Sequence, residues 1–274
     1  FRITLLVVFC FLIKINIVKA QMVGSNAYIK GTSAEIGING AGGFEGVDYT
    51  VSPPLSGMHT RTGTNYFGFV ANPQLNNWLT FDGDFFTPGD PENGWGIEIG
   101  TSGASGLSNC HNASSGIGNN IPGAITNWSH IFNCYSCDWE GNMTGGTNLH
   151  IKINYLLQET DLYYTTTVSI TNNTGTMIPE MYYYRNVDPD NDESLSLDYS
   201  TTNTIVSEPG TGCDLAHVSA TQTTPWNNYL GLAAIGANWR ATFGGFTNRD
   251  GSDLWNLTGS YFPALTQTVG ASTF

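Results

Sequence analysis

The chain has little positive charge and little charge of any kind. Of its 274 residues only 11% are charged, with 9 Lys and Arg against 22 Asp and Glu. Soluble domains usually carry about a quarter. Three of the nine basic residues, Arg2, Lys14 and Lys19, precede position 21, so six face the 22 acidic residues beyond it. Nucleic-acid binding, which needs clustered Lys and Arg, is excluded. An anionic membrane surface is disfavoured for the same reason. Sustained helical periodicity is missing, and Gly, Asn, Ser and Thr fill positions that charge would occupy elsewhere. That composition suits short strands and tight turns. No apolar run reaches the roughly 20 residues a membrane-spanning helix requires. G-x-S-x-G and H-E-x-x-H are also absent, which removes two common hydrolase signatures.

The first twenty residues read as a secretory signal. Ile3 to Ile13 is apolar, Lys14 interrupts it, and Val18-Lys19-Ala20 offers small residues for cleavage after Ala20. Residues 21–274 are then expected to form one domain, an all-β antiparallel β-sandwich that continues past Phe274. A secreted chain with four remaining cysteines, Cys110, Cys134, Cys137 and Cys213, is expected to hold two disulfides, in any of three pairings. Residues 101–147 hold three of those cysteines and much Gly, Ser and Asn. They read as a long irregular insertion stapled by disulfides.

Alternation places strands at 149–157 and 162–170, joined by a turn over Gln158 to Asp161. Ile151, Ile153 and Tyr155 share one face of the first. Leu162, Tyr164, Thr166, Val168 and Ile170 share one face of the second. Further strands are expected at 27–30, 34–38, 65–71, 94–99, 203–207, 229–235 and 238–243. Residues 37–46, rich in glycine, read as a turn region. In Tyr182-Tyr183-Tyr184 the middle ring lies opposite its neighbours.

Acidic loops are the candidate sites. Calcium takes six to eight hard oxygen ligands, and carboxylates at alternate positions of a turn converge on one ion. Asp188, Asp190 and Asp192 have that spacing, and Asp82 and Asp84 form a second such loop. Asp250-Gly251-Ser252-Asp253 is a weaker third. Calcium is therefore the expected cofactor. Glu98 and Glu180 are the one carboxylate pair to weigh for glycoside hydrolysis. The tryptophans, Trp78, Trp95, Trp128, Trp139, Trp226, Trp239 and Trp255, are candidates to stack on sugar rings, although core burial is their commoner fate. Asn112, Asn127, Asn142, Asn172 and Asn256 open Asn-x-Ser/Thr sequons and mark surface loops.

Three segments carry a resemblance. "SNAYIKGTSAEIGINGAGGFEGVD" (25–48), "GFVANPQLNNWLTFDGDFFTPGDPENGWGIEI" (68–99) and "NWRATFGGFTNRDGSDLWNLTG" (238–259) resemble the opening of large secreted surface proteins of Bacteroidota-type bacteria. The resemblance implies export, with further domains downstream: adhesion-like or polycystic-kidney-disease-like repeats and a type IX secretion sorting domain. It implies no catalytic residue. "VSITNNTGTMIPEMYYYRNVDPD" (168–190) is similar to galactose-mutarotase-like supersandwich domains, whose catalytic His and Glu have no located counterpart here. The expected function is a non-enzymatic module of a secreted bacterial cell-surface protein, for adhesion or for binding a glycan or other surface ligand, stabilised by calcium. The alternative is a carbohydrate-active module.

Overall fold

The computed structural model describes residues 20–53, 58, 65–71, 84–86, 93–101, 109–113, 121–143, 147–189, 200–210, 214–222, 227–243, 249–256 and 266–269. Its strands are β1 (Ala20–Val23), β2 (Asn26–Lys30), β3 (Ala34–Ile38), β4 (Val47–Asp48), β5 (Tyr66–Phe67), β6 (Phe69–Ala71), β7 (Asn93–Ile99), β8 (Asn109–Ala113), β9 (Gly123–Ile131) and β10 (Cys134–Asn142). They continue with β11 (Leu149–Gln158), β12 (Tyr164–Asn172), β13 (Met181–Val187), β14 (Thr201–Ser207), β15 (Leu215–Gln222), β16 (Asn228–Ile235) and β17 (Thr266–Val269). One short helix, α1 (Gly251–Asn256), precedes β17. The fold is all-β. Its sheets run β1-β2-β3-β6, β12-β11-β10-β9, β13-β7-β8, β16-β15-β14-β17 and β4-β5. Every strand pairing is antiparallel.

The hairpin of β11 and β12 stands within two residues of where alternation puts it, with β12 starting at Tyr164 and Leu162, expected on the apolar face, left exposed before it. Leu149, Ile151, Ile153, Tyr155 and Leu157 point into the core, and His150, Lys152 and Asn154 point away. Burying each large apolar side chain is worth roughly 1.5–3 kcal/mol. Tyr164, Val168 and Ile170 pack on the same core from β12. The outward face of this sheet is a polar ladder. Lys152 pairs with Asp138 at 3.0 Å and Glu140 at 3.4 Å, and Asn154 donates to Asp138 at 2.6 Å.

Residues 101–147 are a correction. They are no irregular insertion, because β8, β9 and β10 all lie within them. In β10, Tyr135, Cys137 and Trp139 are buried between the half-buried Ser136, Asp138 and Glu140. The period of two is complete, but cysteine and tryptophan carry its apolar half. Other expectations also shift. Residues 238–243 are not a strand, β15 was not anticipated, and 65–71 is broken at Gly68. Gly68 donates its N–H to Asp84 Oδ2 at 2.7 Å and accepts from Gly37 N at 2.8 Å. β1 begins at Ala20, the last residue of the expected signal, which pairs with Ile29.

The glycine-rich segment after β3 does more than turn. It enters the core, and side chains satisfy its carbonyls. Trp139 Nε1 donates to Gly40 O at 3.0 Å, Trp95 Nε1 to Gly43 O at 2.9 Å, and Tyr155 OH to Gly43 O at 2.7 Å. Asn112, expected to mark a surface loop, is instead fully buried in β8, and its Nδ2 adds a bond to Gly42 O at 3.0 Å. Buried carbonyls need such partners. Gly43 has φ +60°, and a Cβ there would lie 2.5 Å from Trp139 Cδ2. Only glycine fits both demands.

Candidate functional site

The same glycine-rich segment carries Glu45, whose side chain is fully buried. Three elements converge on its carboxylate. Arg185 of β13 forms an ion pair with Oε2. Asn93 of β7 donates to Oε2 at 3.0 Å, and the Tyr164 hydroxyl of β12 donates to Oε1 at 2.6 Å. Arg185 Nη2 also donates to Asn93 Oδ1 at 2.7 Å. Burial disfavours the charged guanidinium most, but Glu45 together with Tyr164, Tyr155 and Tyr183 outweighs it and raises the Arg185 pKa above its ordinary value. Burial, then the charge of Glu45, pushes the Tyr155 and Tyr164 hydroxyls well above the ordinary phenol range. Tyr183 is pushed up to about 12, chiefly by burial.

This cluster forms part of the floor of a large open cleft of about 1310 Å³. One wall is β12 and β13. The facing wall is the apolar side of β15 and β16, where Ala216, Val218 and Ala220 pair with Ala234, Leu232 and Leu230. Residues 238–243 and α1 also line the cleft. A chain of rings runs from core to cleft. Trp139 meets Trp95 at 5.5 Å, Trp95 stacks on Tyr183 at 6.2 Å, and Tyr183 meets Trp239 edge-on at 6.1 Å. At the rim, Tyr163 is 61% exposed and Trp255 38%. The Arg240 guanidinium lies 6.0 Å from the Trp255 ring centre, and its Nη1 donates to Trp255 O at 2.6 Å.

The expected metal ligands are not gathered at one place. Asp84 is buried, and its carboxylate accepts three backbone N–H groups: Gly68 at 2.7 Å, Phe69 at 3.1 Å and Phe86 at 2.9 Å. It works as an internal acceptor that pins its own loop to β6. Asp188 is buried at the end of β13, while Asp82, Asp190 and Asp192 lie outside the described residues. Among the described residues no group of three or more His, Cys, Asp or Glu could hold a metal ion. The third acidic loop starts a helix. Asp250 Oδ1 accepts from Ser252 Oγ at 2.7 Å and Asp253 N at 2.9 Å, as an N-cap does.

Glu98 and Glu180 both lie beside Tyr182, which pairs with Glu98 across β13 and β7, but the two carboxylates differ in burial and partners. Glu98 is fully buried in β7 and accepts from Ser252 N at 2.8 Å, whereas Glu180 is exposed beside Tyr182. As the alternation implied, Tyr183 packs on the core while Tyr184 turns the other way, toward Arg249 O. Among the tryptophans, Trp95 and Trp139 are buried, Trp128 and Trp255 are exposed, and Trp78 and Trp226 fall outside the described residues.

No disulfide joins Cys110, Cys134 and Cys137 to one another, and Cys213 lies outside the described residues. Cys134 and Cys137 share strand β10. Three residues of strand separate their Cα atoms by roughly 10 Å, beyond the roughly 7 Å limit of a disulfide. That geometry also rules out a redox pair. Burial, then Asp138, pushes the Cys137 thiol up to about 12.

No family model, curated protein or solved structure matches the chain. Among the described residues no helix is long and apolar enough to cross a membrane. Neither Arg185 nor Glu45 stood out in the sequence. They are 140 positions apart, and only the pairing of β13 with β7 brings the arginine over the glycine-rich segment.

Proposed function

We propose that the chain is a non-enzymatic β-sandwich module of a secreted bacterial surface protein, and that the cleft beside β13 binds an extracellular glycan. The observation that carries this reading is the aromatic lining: Tyr163 and Trp255 are exposed, and Trp239 and Tyr183, in edge-on contact with each other, line the same cleft. Sugar rings present apolar C–H faces, and fixed aromatic rings receive them at little entropic cost. The rigid ion-pair floor supports that wall.

A hydrolase is the second reading of a carbohydrate site. It needs an acid and a base or nucleophile flanking the glycosidic bond. Glu98, the buried member of the one pair the sequence offers, is engaged with the first turn of α1 instead. The binding reading is the better supported. Calcium stays within it as a stabiliser bound by the acidic run Asp188, Asp190 and Asp192.

Affinity electrophoresis of the full chain through gels containing individual polysaccharides tests the proposal. Retardation by at least one polysaccharide, weakened in Trp255→Ala and Tyr163→Ala, is expected. Unretarded migration in all of them, or equal retardation of the variants, would sink it. Release of reducing sugar would favour the hydrolase.

A further inference from the structure

The cleft differs from the rest of the chain in charge. Beyond position 20 the chain has six basic residues against 22 acidic ones. Five of the six are described. Lys30 is paired with Glu35, and Lys152 with Asp138 and Glu140. The other three are Arg185, Arg240 and Arg249, and all three line the cleft. Among the described residues that line it there is no Asp or Glu. Glu45 lies beneath the wall and pairs with Arg185, and the Glu208 carboxylate accepts from Ala241 N, next to Arg240, without lining the cleft. The described lining thus presents arginine and no carboxylate in a strongly acidic protein, and Arg240 is its exposed cation.

We infer that the cleft selects an anionic glycan, its rings against the aromatic wall and its carboxylate or sulfate oxygens on Arg240. This rests on the glycan reading of the cleft. Arg240 is exposed and tethered to the Trp255 carbonyl by one nitrogen. A guanidinium held in place loses less freedom on binding an oxyanion than a free one does. Its position by the Trp255 ring puts the charge beside a stacking surface. Elsewhere the acidic surface repels a polyanion over a Debye length of about 8 Å. Attraction is thus confined to the cleft, which gives selectivity without general stickiness.

Titration calorimetry of the full chain tests this with three probes: oligogalacturonate for carboxylate, a carrageenan oligomer, which carries sulfate and no carboxylate, for sulfate, and a neutral dextran oligomer. At least one anionic probe is expected to bind roughly tenfold more tightly than dextran. That affinity should fall as NaCl is raised from about 50 mM to about 500 mM. Arg240→Gln should cost roughly tenfold against the anionic probe, and Arg240→Lys, which keeps the charge but loses the planar fork, should recover only part of the binding. Whichever anionic probe wins identifies the oxyanion. Dextran bound as well as either anion, or an Arg240→Gln variant with undiminished affinity, overturns the inference and leaves the glycan reading standing. No heat with any probe, together with no retardation in any polysaccharide gel, overturns both. Should Arg240→Gln fail to fold, the salt dependence and the dextran comparison still decide.

Discussion

The Arg185 guanidinium is paired with the Glu45 carboxylate where the hydrophobic core gives way to the cleft. Arg185 is only 13% exposed and Glu45 not at all. Breaking a buried pair from one side leaves a charge with no counter-ion. Arg185→Met is therefore expected to destabilise the fold by about 3–5 kcal/mol in urea unfolding. The double variant with Glu45→Gln should recover part of that loss, because the stranded carboxylate is gone. A double variant no more stable than Arg185→Met would show that the pair is not coupled as the geometry requires.

Gly43 and Gly175 make a matched comparison. Both have positive φ, +60° and +75°. A Cβ on Gly175 meets nothing within 4 Å, whereas one on Gly43 lies 2.5 Å from Trp139 Cδ2. Alanine at Gly175 should cost only the left-handed penalty of about 1–2 kcal/mol. At Gly43 the same penalty is joined by overpacking worth about 1–3 kcal/mol more. Thermal unfolding of Gly43→Ala and Gly175→Ala should rank them in that order. Equal losses would mean the glycine-rich segment does not press on the indole.

These two comparisons mark what the sequence made legible. The hairpin of β11 and β12 was readable because Ile151, Ile153 and Tyr155 alternate with polar residues, and register follows from such a pattern. β10 has the same period, but Cys134-Tyr135-Ser136-Cys137 looks like a cysteine motif, and tryptophan supplies the next buried position. Asp250 was noticed as acidic, yet its capping role became visible only with the helix it starts. The cleft was not legible. Its walls come from strands far apart in the chain, and the Glu45–Arg185 contact leaves no local spacing to find.

The spacing of Asp82 and Asp84 suggests a calcium ligand, but the three backbone hydrogen bonds of Asp84 give a different expectation. Each bond to a charged acceptor is worth about 1.5–3 kcal/mol, partly regained by water in a variant. Asp84→Ala should lose roughly 3 kcal/mol of stability. The loss should be the same in excess chelator and in excess calcium, since the carboxylate serves the backbone. A loss that appears only with calcium would restore Asp84 as a metal ligand. The wild-type chain offers a separate arm. If the loop after Asp188 binds calcium, chelator lowers the melting temperature of both proteins by the same amount.

Tyr164 predicts how the fold responds to alkali. Its hydroxyl donates to Glu45 Oε1 at 2.6 Å, and burial followed by the Glu45 charge holds its pKa well above the free value of about 10. An acid whose folded pKa is raised stabilises the fold fully below its unfolded pKa. Above about pH 10 the unfolded chain gives up the proton while the folded chain keeps it. Stability must then fall as pH rises, until the folded value is reached. Tyr164 alone contributes about 1.4 kcal/mol per pH unit to that fall. Tyr155 acts in the same sense. Tyr164→Phe should be less stable than wild type at neutral pH, because Glu45 loses a donor. Its stability should also decline less steeply above pH 10, so the two curves converge. Urea unfolding at stepped alkaline pH checks this. Parallel curves would mean that Tyr164 ionises as freely in the folded protein as in the unfolded chain, and that Glu45 is not its partner.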